Sequence, residues 1–266
     1  MSLSHHGWPV LYTLFVWWFS TGVILYLDGL PRWTFKWTML GATLLLALAL
    51  AGLFATRDDT RTTGAYLAFS CAVMVWAWQE VAFLLGYVTG PRRTACPMGA
   101  TGWRRAGFAL QAVLHHELAL IVLGLAVTLA TWGGSNPTGL ATFMILWVMR
   151  QSAKLNVFLG VRNLNEGFLP THLKYLQTYF TRARMNSLFP VSVIAATWVA
   201  VLVWQGAITV GIARFDATAA TFSATLLSLA VLEHWFLVLP MPSEKLWNWG
   251  LRSRAVNAAA VAVRSD

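Results

Sequence analysis

Eight side chains able to carry charge or bind a metal lie inside otherwise apolar stretches: Glu80, His115, His116, Glu117, Arg150, Lys154, Glu233 and His234. Carboxylates and imidazoles together suit iron, zinc or manganese, which makes Glu80, His116, Glu117, Glu233 and His234 candidate metal ligands. Their spacing departs from the helical di-iron pattern, because the chain contains no Glu-x-x-His. It contains no His-x-x-x-His either. Neighbouring residues on a helix point about 100° apart, so His116 and Glu117, or Glu233 and His234, cannot both aim squarely at one ion. A second chemistry needs only one imidazole, as an axial ligand to a tetrapyrrole metal with aromatic side chains around the ring. Such a site has no spacing signature. In a third, the carboxylates Glu80, Glu117 and Glu233 and the cations Arg150 and Lys154, with the histidines, neutralise one another. They would then fix helix register without any ligand.

The elements that must hold these groups are membrane helices. Of 266 residues, 58% are hydrophobic and 11% charged, and mean hydropathy is +0.60. A soluble domain is nearer a quarter charged, so the expected class is an all-α, polytopic membrane helix bundle. The net charge of +9 is scattered over short loops between apolar runs, a topogenic pattern rather than a nucleic-acid surface. Apolar runs predict about seven spans, near residues 8–27, 35–55, 65–88, 107–132, 140–160, 188–211 and 217–240. Each is long enough to cross a hydrocarbon core of ~30 Å. No linker separates them, so residues 1–266 read as a single integral membrane domain. Between spans five and six, Leu169, Leu173, Leu176 and Phe180 recur at helical spacing beside Lys174, Arg182 and Arg184. This predicts an interfacial amphipathic helix. The stretch SEKLWNWGLRSR predicts a second, shorter interfacial segment before a polar-tipped tail. The first basic residue is Arg32, which does not suit a cleavable signal peptide. Cys71 and Cys96 have no CxxC spacing and support neither a disulfide framework nor a thiolate zinc site.

Charge asymmetry sets the expected orientation. Arg57, Arg61 and Arg214 fall on one side and the other sixteen basic residues, Arg264 among them, on or near the opposite side. The N-terminus is therefore expected outside and the C-terminus in the cytoplasm. Counting from the cytoplasmic ends at ~1.5 Å per residue, Glu80, His116, Glu233, His234, Lys154 and Arg150 share one slab, roughly 9–15 Å deep. Outside it, His5 and His6 are expected to be solvated, His172 to sit at headgroup level, and Asp28 to cap the turn before Pro31. Asn163, Asn165 and Glu166 read as a polar turn. The fifteen tryptophans divide between interfacial belts and span interiors, where core packing is the default.

The stretches LYTLFVWWFSTGVILYLDGLPR, TGPRRTACP, HHELAL, LWVMRQSAKLNVFLGVRNLNEGFLPTHLKYLQTYF, MNSLFPVSV and LEHWFLVLP resemble the PuhE family of photosynthetic complex assembly proteins from purple phototrophic bacteria. The resemblance runs from about Pro9 to Trp247. It implies a multi-pass protein of a bacterial cytoplasmic membrane, inner or intracytoplasmic. Such a protein would assist reaction-centre and light-harvesting complex assembly or modulate bacteriochlorophyll supply. The implied partners are the lipid bilayer and either photosynthetic complex subunits or pigment-biosynthesis enzymes, with no nucleic acid. The expected cofactor is bacteriochlorophyll or a precursor, or a transition metal. One departure is Gln79, where relatives carry His before the glutamate matching Glu80. The alternative expectation is a metalloenzyme or tetrapyrrole-modifying enzyme using the Glu/His layer. A non-enzymatic factor is the primary one.

Overall fold

The computed structural model describes residues 3–263; Arg264 of the charge count lies outside them. The chain forms α1 (Trp8–Asp28), α2 (Phe35–Thr56), α3 (Thr62–Leu84), α4 (Gly102–Thr131), α5 (Thr138–Leu159), α6 (Leu188–Ala207), α7 (Arg214–Phe236) and α8 (Asn248–Val263). Among the described residues there is no strand beyond an isolated bridge between Val161 and Arg182. Six helices are long and apolar enough to cross a membrane. The remaining long one, α5, has 22 residues but carries Arg150, Gln151, Lys154 and Asn156. The expected ends of spans three, six and seven shorten to Leu84, Ala207 and Phe236.

Helices α3 and α7 form the centre, with 50% and 61% of their most apolar windows buried. Residues of α1, α3 and α7 meet where Phe69 stacks on Phe222, centroids 4.4 Å apart and planes 13° from parallel. Tyr12 closes this cluster edge-on and shares a hydrogen bond of 2.8 Å with Ser70. Lipid removes most of the hydrophobic drive between helices, so close packing and hydrogen bonds must supply it. Helix α7 meets that demand with small residues. Thr218, Thr221 and Thr225 return their hydroxyls to carbonyls four residues back, so these hydroxyls are paired within the apolar core.

One end of the bundle is tied by Asn136, in the α4–α5 turn. Its amide Nδ2 faces the carbonyls of Thr56, Asp59 and Gly64 at 3.0–3.2 Å. Its backbone N–H donates to Arg57 at 2.7 Å. On the same end His6 Nε2 lies 3.0 Å from the Ala207 carbonyl, so His6 is anchored rather than freely solvated.

At the opposite end the α5–α6 connection closes the bundle. Its central part, Thr171–Tyr179, is helical but wound as a 3-10 helix. It buries Leu173, Leu176 and Tyr179, a spacing of three, against Phe83, Leu84 and Ala112. The segment therefore packs on the bundle, with Lys174 exposed on its other side. His172 bonds through Nε2 to the Leu84 carbonyl at 2.9 Å, tucked in instead of facing headgroups. Asn163 donates to the carbonyls of Phe236 (2.7 Å) and Leu239, capping α7. Glu166 pairs with Arg182 at 3.2 Å.

The C-terminal segment is a helix packed on the bundle. Helix α8 lies on α1, where Gly250 approaches the Gly22 carbonyl and Trp249 covers Gly22. A Cβ at either glycine would overlap those atoms. Asp28 does not cap its turn. Its fully buried carboxylate takes a two-pronged bond from Arg254, both contacts 2.8 Å. Arg254 also donates to the carbonyls of Gly167 and Phe168 at 2.5 and 2.8 Å.

Candidate functional site

The helices form a half-open chamber of about 660 Å³, lined by α1, α3, α4, α5, α7, the α5–α6 connection and Ser243 and Trp247 beyond α7. That volume lies within the range of small-molecule sites, ~300–1,000 Å³. Phe69, Val73, Trp76, Met149, Leu226 and Leu229 give it apolar walls. Glu80, His116, Glu117, Arg150, Lys154 and Glu233 line the same chamber.

Helix α5 supplies the cations. Arg150 and Lys154 stand one turn apart, so they share a face. Arg150 reaches Glu80 on α3, with Nε 3.2 Å from Oε1. Lys154 reaches Glu117 on α4, and Gln151 donates to the other oxygen of Glu117 at 2.6 Å. The side chains of Glu80, Glu117 and Lys154 keep 15%, 20% and 27% exposure. Glu233, on α7, accepts the Trp17 indole N–H at 2.6 Å.

The histidines take three different directions. His115 is exposed on the outer face of α4, away from the chamber. His116 is buried at 2% exposure, with its ring 4.5 Å from that of Phe83. The loop after α3 helps to hold it: Gly90 lies on the backbone of Gln111 and Ala112, and the Thr89 carbonyl accepts the His116 amide at 2.9 Å. The buried Nδ1 of His116 has no hydrogen-bond partner. His234 faces α5 instead. Its Nδ1 lies 2.8 Å from the Ala230 carbonyl and its Nε2 2.9 Å from Ser152 Oγ. A carbonyl only accepts, so Nδ1 carries the proton and Nε2 accepts from the serine.

This arrangement spreads the carboxylates over separate donors. Among the described residues no group of three His, Cys, Asp or Glu side chains converges as a metal-binding set. Both ring nitrogens of His234 are already engaged, and Glu80 and Glu117 each hold a cation. Trp17, Gln151 and Ser152 join the polar set although their sequence positions carry no charge. The signal for two of them was available, because Gln151 and Ser152 lie between Arg150 and Lys154 in one apolar run.

Fold and site define a polytopic helical membrane protein with a charge-paired internal chamber. The chain belongs to the family DUF3623, described as a protein of unknown function, which matches residues 3–258. It is 41% identical over 265 residues to an uncharacterized 30.4 kDa protein of Rhodobacter capsulatus, described as lying in the puhA 5′ region. The match covers 97% of this chain and 96% of that relative. No solved structure matches the chain.

Proposed function

We propose that the chain is a seven-pass factor of the bacterial cytoplasmic membrane, with its N-terminus outside and its C-terminus in the cytoplasm. It forms one integral membrane domain. In this reading it holds bacteriochlorophyll or a precursor in its chamber and so assists photosynthetic complex assembly or regulates pigment supply, without catalysing a reaction. Its partners are photosynthetic complex subunits or pigment-biosynthesis enzymes. The observation that carries this reading is the chamber itself, about 660 Å³ of largely apolar space inside a membrane bundle. In this reading His116, which lines the chamber, is the candidate axial ligand. The relative's position in the puhA 5′ region supports a photosynthesis-related role, as does the resemblance to PuhE. The span count is supported by α5, whose ends meet the ends of its neighbours: Asn136, just before it, bonds the carbonyls of Thr56 and Gly64, and Arg105 at the start of α4 bonds the Phe158 carbonyl.

Deleting the gene in a phototrophic host and profiling pigments tests the proposal. Lower amounts of normal pigment and of assembled complex are expected. Accumulation of one defined chemical intermediate would instead identify an enzyme.

A further inference from the structure

Glu233 is the carboxylate in the chamber without a cation. Glu80 has Arg150, and Glu117 has Lys154 with Gln151. Glu233 forms no ion pair among the described residues and accepts the Trp17 N–H. A carboxylate offers about four acceptor positions, so one N–H leaves most of that capacity unused. Glu233 is exposed and lines the chamber.

The charge count constrains what can enter. With every chamber carboxylate ionised, Glu80, Glu117 and Glu233 against Arg150 and Lys154 leave one excess negative charge. With Glu233 protonated the set is neutral. In both states Arg150 and Lys154 already face a carboxylate, Glu80 and Glu117. An anionic ligand would have to share Arg150 or Lys154 with the carboxylate already there. A neutral ligand with an N–H or O–H donor would instead use the free positions on Glu233.

We propose that the chamber selects an uncharged amphiphile, such as an esterified macrocycle, over the corresponding free acid, and that Glu233 makes the distinction. This deepens the reading of the chamber as a pigment site and rests on it being a ligand site. A like charge ~10 Å away at an effective dielectric of ~20 lowers affinity roughly tenfold.

The test uses the full chain in nanodiscs, with binding to empty nanodiscs subtracted. Two acid and ester pairs serve as probes: cis-parinaric acid with its methyl ester, and pheophorbide a with its methyl ester. The ester of each pair should bind about tenfold more tightly than the acid. Glu233→Gln, which keeps an acceptor for Trp17, should bring the acid close to the ester. Discrimination by the parinaric pair with no binding of either pheophorbide would remove the tetrapyrrole reading and leave this inference standing. Three results overturn the inference: acid binding as tight as ester, discrimination unchanged in Glu233→Gln, or no saturable binding of any probe. Trp17→Phe is the second variant, and it should retain the ester preference.

Discussion

Residue by residue, the chamber's charges are worth most where they are least exposed to water. Lys154 and Glu117 are each under a third exposed, and removing one member of such a pair strands the other in a low-dielectric wall. Lys154→Ala should therefore cost about 3–5 kcal/mol of stability, read as a fall in the thermal midpoint of the purified protein. Exchanging the partners, Glu117→Lys with Lys154→Glu, should recover more than half of that loss. Recovery of none would show that the pairing itself contributes little. The divided carboxylates also predict less than one transition metal per purified chain; stoichiometric iron, zinc or manganese lost on Glu117→Ala would contradict this. At the bundle end, burial holds His172 below its ordinary value of 6.5, opposed by its bond to Leu84 and reinforced by Arg32, Arg254 and Arg93. A depressed histidine stabilises the fold above pH 6.5 and loses that contribution as pH falls through the folded value, because the unfolded chain takes up the proton first. Wild type should thus lose more thermal stability than His172→Gln between neutral pH and pH ~5.

The elements show which parts of the fold could be read from residue types alone. Long apolar runs mark α1 to α7 to within a few residues, because the bilayer sets a minimum length and lipid-facing positions must be apolar. The charged residues within those runs pointed to the chamber residues Glu80, His116, Glu117, Arg150, Lys154 and Glu233. The partners of those groups were not legible. Which carboxylate meets which cation depends on helix rotation, and a tryptophan such as Trp17 gives no warning that its N–H meets Glu233. The connection between α5 and α6 was misleading for a different reason. Leucines at 169, 173 and 176 fit an α period, but the buried set steps by three and takes Tyr179 instead of Phe180. Helix α8 was hidden because its fit depends on two glycines far apart in sequence, Gly22 and Gly250. Several arginines read as topogenic turn out to be structural donors: Arg105 bonds the carbonyls of Tyr179 and Phe158, and Arg254 clamps Asp28. Arg254→Ala should accordingly release α8 and expose its junction with α1 to protease. Arg254→Lys should rescue this only in part, since an ammonium cannot reproduce the two-pronged bond.

In the molecule as a whole, a strong charge asymmetry goes with a chamber near the more basic end. Reporter fusions at both termini should place the N-terminus outside and the C-terminus in the cytoplasm; termini on the same side would remove an odd number of spans. The most direct measurement is the absorption spectrum of full-length protein, purified gently from pigment-making cells. A chamber that holds pigment predicts a tetrapyrrole spectrum approaching one pigment per chain. Ala77→Trp, which fills the chamber from α3, should abolish that spectrum while leaving the helical fold intact. A colourless wild-type protein, together with an Ala77→Trp variant that supports normal pigment and complex levels in cells, would contradict the account.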